Sequence, residues 1–466
     1  MKVTDAEKNV TTFAYDALNR LSSCTDAEGH TFAYTYDGNG NIVKTTDALG
    51  NEAVFAYNAN DQLVSMDLHR VDSVNGADEH QVTLYEYDGR NLVTKEVNAA
   101  GGNTLYVYDG NGNMVSKADA DGYVTEYTYN SLDLVSHISY NGAKEVTYQY
   151  NKVGELVKMD DWLGTTTFEL DLLNQLKKVT DHKGNVIEYT YDEVGNQTNL
   201  TYPDKSTVTN SYDALGQLTQ MTDGEGGKYT YTYDDAGNVT KLTYPNGWVE
   251  EYSYDAEGNL LKTVDTDPFH NNKKSTKYEY AYDAEGNLVT EFQRDSDGEA
   301  GLVANTTYTY DALNRLTGSQ KTVERTRKTY AKTYTYDSLG NLVQENGPDS
   351  RDQTTYQYNS LNQMVARKEC GYVQSITRIH DYGYTYDGRG NLVKEEEICS
   401  PTTQGPKNIT IATYTYDETN KMVKGVNDIG ESSEYLYNGL GALVTNTWTI
   451  KKNAYGYHDV QPSAVV

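Results

Sequence analysis

Acidic turns are the feature of this chain that most invites a chemical reading. DGNGN stands at Asp37–Asn41 and again at Asp109–Asn113, and DSDGE at Asp295–Glu299. Oxygen donors in this pattern bind calcium in an EF-hand loop, which also needs Gly at its sixth position and Glu at its twelfth. Ile42 and Met114 occupy the sixth position here, and DSDGE fails the same test. The carboxylates therefore read as turn formers, each accepting backbone N–H groups of its own turn. Glycoside hydrolysis needs one particular pair of carboxylates. Acidic residues recur at every turn, so no pair stands out. The eight histidines are scattered, without H-E-x-x-H or a Cys/His cluster at metal spacing. G-x-S-x-G, P-loop and dinucleotide fingerprints do not occur. These residues describe a non-enzyme with no catalytic residue, metal site or cofactor.

The turns belong to a repeat. Thr31–Asp47, TFAYTYDGNGNIVKTTD, alternates aromatic and small polar residues, turns, and resumes with β-branched residues. That pattern predicts a β-hairpin with Phe32, Tyr34 and Tyr36 on one face. Its Tyr-Asp or Tyr-Asn step recurs along the whole chain. The tyrosines are Tyr15, Tyr36, Tyr57, Tyr87, Tyr108, Tyr129, Tyr150, Tyr191, Tyr212, Tyr233, Tyr254, Tyr282, Tyr310, Tyr336, Tyr358, Tyr386, Tyr416 and Tyr437, with Leu170 replacing one. The commonest spacing is 21 residues, and the longest, 30, reads as the same unit with a longer loop. A fixed period of this length marks a repeat architecture. Four residues after each of these nineteen positions stands Gly, Asn or Asp, as at Gly40, Gly112, Gly195, Gly258, Gly390 and Asn19. These types best tolerate the left-handed region, so each turn is expected to hold one residue at positive φ.

Composition fits a polar, aromatic wall. Only 37% of residues are hydrophobic, yet 44 are tyrosine, and 33 of those sit at the motif position or two residues before it. Tyrosine thus supplies the buried mass, and its hydroxyl must find a partner. The formal charge of −29 argues against nucleic acid, which needs a basic surface. Cys24, Cys370 and Cys399 are too few and too irregular for a disulfide framework. No apolar run approaches the roughly 20 residues of a membrane span, and the first residues lack the apolar core of a signal peptide. Longer insertions fall around 70–82, 263–276, 293–305, 319–331, 370–381 and 397–411. Lys321–Lys332, the one basic cluster, reads as a solvated loop, with docking of an acidic partner as the alternative.

Nineteen hairpins make about 38 strands, or ~180 Å of sheet at ~4.8 Å each. Open sheets seldom exceed about ten strands without curling, so this one must wind. Hairpins exclude a parallel β-helix, and no blade-length signature suggests a propeller. The expected fold is all-β: repeated antiparallel hairpins in one continuous spiral sheet, an incomplete shell or tube.

Units such as YTYDGNGNIVKTTDALGN and YTYDDAGNVTKLTYPNG resemble the tyrosine–aspartate (YD, or Rhs) repeat family, over about residues 10–445. That family includes bacterial Rhs polymorphic toxins, toxin-complex C components, wall-associated repeat proteins and teneurins. The resemblance implies a hollow β-shell enclosing a C-terminal toxin or other cargo, in a secreted or cell-surface protein. Its partners would then be the toxin cargo or the remaining Rhs core. The alternative it carries is cell-surface adhesion with carbohydrate binding. Residues 1–445 are expected to form the repeat shell and 446–466 to lead toward an Rhs core, whose DPxGL-type motif this sequence lacks. The chain is accordingly expected to be an internal portion of a longer protein or a separate shell segment.

Overall fold

The computed structural model describes residues 1–71, 78–269, 274–295, 303–349, 351–373, 376–398, 408–449 and 463–464. Cys399, most of DSDGE, parts of the longer insertions and most of 446–466 lie outside the described residues. The described residues form forty β-strands, with no helix among them. Each strand pairs antiparallel with its predecessor and its successor, from Lys2–Thr4 onward, making one open sheet.

One hairpin shows why. Thr31–Tyr36 and Ile42–Thr46 pair with Tyr34 opposite Thr45 and Tyr36 opposite Ile42, and the register slips between Thr35 and Tyr36. The same bulge sits at the motif position of all nineteen units, Leu170 included. A bulge bends its strand and strengthens local twist. Nineteen bends of one kind give a sheet that coils.

Successive laps of the coil touch through their turns, with no β-pairing between laps among the described residues. The turn holding Glu7 touches Ala256, and the turn holding Asp121 touches Gly388. In each case 23 strands separate the two turns. At ~4.8 Å per strand, one lap measures ~110 Å around, a ring about 35 Å across. The wall is a single layer. Val146, Met159, Ala304 and Val343 are the only buried hydrophobic side chains among the described residues, too few for a second packed layer. One face carries the tyrosines. The other carries threonine pairs such as Thr190–Thr198 and ion pairs such as Lys178–Glu169.

The insertions differ from expectation where they are described. Leu316–Val323 and Lys328–Tyr336 pair as far as Val323 opposite Lys328, so the basic cluster forms a longer hairpin rather than a loop. Its Thr- and Val-containing alternation favours extending the strands over leaving them unpaired.

Candidate functional site

The repeating unit of the wall is a turn clamped by a phenol. In Asp37–Gly40 one carboxylate oxygen accepts the backbone N–H groups of Asn39, Gly40 and Asn41 at 2.9, 2.8 and 2.9 Å. The other accepts the Asn41 side-chain amide at 2.9 Å. That amide, with the backbone donors behind it, holds the Asp37 carboxyl below its ordinary value. A carboxylate so engaged has little left for a cation. No cluster of three or more His, Cys, Asp or Glu poised for a metal occurs among the described residues. Gly40, Gly112, Gly195, Gly258 and Gly390 have φ of 101°, 92°, 96°, 88° and 88°, and Asn19 stands at 62°. Such angles cost most side chains energy, which limits the position to Gly, Asn or Asp.

Above each turn the next unit reaches back. The Tyr36 hydroxyl donates to the Leu21 carbonyl at 2.8 Å, and Leu21 is the residue opposite Tyr15 at the preceding bulge. Sixteen of the eighteen motif tyrosines make this bond to the preceding unit, at 2.6–3.0 Å. Tyr15 instead points at the Met1 sulfur, 3.9 Å away. Leu170, with no hydroxyl, interrupts the ladder. Burial pushes the phenols of Tyr148 and Tyr358 up to about 12, and that of Tyr414 likewise, with Glu395 adding to it.

The tyrosine face changes character along the chain. Opposite the residue two before the motif stand Ile138, Met159, Val179, Leu200, Met221 and Leu242 in succession. The same register position holds Glu96 and Lys117 before this run, and Glu291, Ser319, Glu345, Arg367, Glu395, Gly425 and Asn446 from Tyr280 onward. Tyr414 donates to Glu395 at 3.1 Å, and Tyr244 to Glu250 at 3.0 Å. Burial, then the nearby Glu250, raises the Asp265 carboxyl.

Where the laps meet, a seam forms between unlike turns. The inter-unit turns of the first lap sit on the motif turns of the second. Ala27 N–H donates to Glu285 at 2.8 Å while Ala284 N–H donates to Glu28 at 3.2 Å. Arg389 pairs with Asp119 at 3.0 Å, lies 4.5 Å over the Tyr123 ring and donates to the Asp417 carbonyl. Arg389, Asp119 and Tyr123, with Tyr127 and Tyr140, line a cavity of about 390 Å³. Lys144 pairs with Asp417, Trp162 donates to the Tyr437 carbonyl at 2.9 Å, and Tyr148 to that of Gly439 at 2.9 Å. Val146 and Met159, both fully buried, pack there. Reading the sequence repeat by repeat misses this seam, because no local signal pairs residues 249 to 291 positions apart.

The family description for the RHS repeat matches residues 1–31, 22–53, 36–68, 108–144, 171–207, 212–247 and 233–268, and that for the teneurin YD-shell matches 299–465. No curated protein matches the chain. Among solved structures it is similar to TcdB2-TccC3-TEV, at 14% identity and a TM-score of 0.43, over 97% of this chain and 29% of that one. It is also similar to the Photorhabdus luminescens Tc holotoxin pore, at 14% identity and 0.36, over 94% and 30%. A porin-like protein from Bacteroides uniformis follows at 16% identity and 0.20, over 51% and 89%. The chain thus spans under a third of the first two. No helix among the described residues is long and apolar enough to cross a membrane.

Proposed function

Because the chain belongs to the YD/Rhs repeat family, we propose that it is a non-catalytic wall segment of a cargo-enclosing shell in a toxin-related, secreted or cell-surface protein. The lap-to-lap seam is the observation that carries this reading. A sheet that meets its own next lap after 23 strands surrounds a space, and a single-layer wall leaves that space empty of core. The tyrosine face suits an unfolded guest. Its phenols are tied to backbone carbonyls, and in the second lap carboxylates interrupt the apolar surface. Such a face solvates a chain without gripping it. Domain limits of 1–445 for the shell and 446–466 for a segment leading onward are part of the same proposal. No residue is assigned a catalytic role, and no cofactor is required.

Adhesion to carbohydrate is weaker. Sugar stacking on tyrosine needs an exposed ring face, whereas the sixteen motif tyrosines whose hydroxyls clamp the preceding unit are half-buried in the wall.

The test is protease protection. A protease-sensitive unfolded segment is joined after Val466, and its cleavage is compared with that of the same segment free in solution. Slower cleavage is expected when the wall is attached. Equal rates would overturn the enclosing role.

A further inference from the structure

At one point of the seam the second lap puts a charge where it elsewhere puts a small side chain. The second residue of a motif turn meets the first lap. Ala256 and Ala284 donate N–H groups to Glu7 and Glu28, Ser338 reaches the His69 carbonyl, and Gly439 donates to Asp161. From Ala256 to Gly439 that position holds Ala, Ser or Gly in every motif turn but one, where Glu418 stands. Glu418 lines the cavity of about 390 Å³. The first lap supplies the floor. Lys117 lies opposite Thr125 and Thr125 opposite Tyr140, on the tyrosine face, with Tyr127 beside them.

Several polar groups here are already engaged. Arg389 is held by Asp119 and by the carbonyls of Asp417 and Glu418, and Asp119 also accepts the N–H groups of Asp121 and Tyr123. The Lys117 ammonium, the Glu418 carboxylate and the hydroxyls of Tyr127 and Tyr140 have no hydrogen-bond or ion-pair partner among the described residues. Burial pushes both phenols up, so they stay protonated donors at neutral pH. An ammonium from one lap and a carboxylate from the other thus share one space without closing on each other. We propose that this cavity binds a small zwitterion, a free α-amino acid, with its carboxylate on Lys117 and the two phenols and its ammonium on Glu418. An anion alone would leave Glu418 unpaired, and a cation alone Lys117, so the two charges together select a ligand that carries both. The volume lies within the roughly 300–1,000 Å³ of small-molecule pockets. A ligand gripped by both laps binds the closed coil and stabilises it by mass action.

Thermal denaturation of the full chain with each protein amino acid at ~10 mM, enough to fill a site of millimolar affinity, tests this. At least one amino acid should raise the melting temperature. Calorimetry should then show saturable binding of that amino acid, with its N-acetyl and its carboxamide derivatives each at least about tenfold weaker. Lys117→Met and Glu418→Gln should each weaken binding by at least about tenfold. Lys178→Met, on the opposite face of the sheet, should bind as the wild type does. No rise with any amino acid, equal binding of the charge-blocked derivatives, or an affinity unchanged in either cavity variant would each overturn the proposal.

Discussion

Met159 and Met221 occupy one register position in two parts of the wall, each the cross-strand partner of the residue two before a motif position. Met159 lies under the seam and is fully buried, whereas Met221 is half-buried on the open face. The motif turns divide in the same way. Asp337 is 2% exposed and Asp417 9%, while the equivalent Asp213 is exposed. Yet Asp337 and Asp213 hold the same turn bonds, accepting at 2.8 and 2.9 Å from the N–H four residues on. Turn geometry is therefore local, and burial comes from the lap above or below. In this fold a repeat owes its shape to its own sequence and its tertiary packing to a repeat about 23 strands away.

The largest expected effect separates the two methionines. Met159→Ala should cost about 2–5 kcal/mol, the range for emptying a closed site, and Met221→Ala well under half of that. Denaturant midpoints measure both, and equal losses would show that the seam adds no packing. Next comes one added methyl group. At Gly439 a Cβ would stand 2.6 Å from Val146 and 3.1 Å from the Met159 sulfur, while at Gly110, the same turn position in the first lap, it meets nothing within 4 Å. Gly439→Ala should destabilise by about 1–3 kcal/mol through overpacking. Gly110→Ala should be neutral or stabilising by up to about 1 kcal/mol through the unfolded chain. Neither glycine is among the residues at positive φ, so the contrast isolates the seam.

The smallest effect should be the same in both laps. Tyr191→Phe and Tyr358→Phe each remove a hydroxyl 2.9 Å from a carbonyl. Each should cost about 1 kcal/mol, the usual net value of one hydrogen bond. A clear difference between them would mean that the ladder, too, depends on the seam. Alkali probes the same bonds. A phenol whose folded pKa is raised above the unfolded value of about 10 contributes stability that is intact below pH 10. It is lost as pH rises through the folded value, about 12 for Tyr358. Phenolate absorbance should therefore appear late, together with loss of β-structure by circular dichroism.

Much of the fold was legible. Period-2 aromatics and turn residues at fixed offsets announce hairpins, and the strand count forces the sheet to wind. The turn chemistry could be read at Asp37–Asn41, since Asx turns and positive φ are decided within five residues. The bulge could not, because nothing in TYDGNGN states that Tyr36 pairs with Ile42 rather than with its neighbour. Lys321–Lys332 was legible as basic but not as strand. The seam lay furthest from view. Arg389 resembles any other turn arginine until the lap length brings Asp119 and Tyr123 beneath it. Lap length is a sum of small bends over 23 strands, which no single repeat encodes.

The phenol ladder also gives the wall a direction of growth. Sixteen of the eighteen motif hydroxyls point back toward the hairpin made before, so during synthesis a newly emerged unit of this kind lacks its clamp until its successor leaves the ribosome. Assembly then proceeds from the amino terminus as a ratchet in which every step locks the one before. A ribosome stalled partway would hold a nascent chain with one loose hairpin at its end, whatever the length already made.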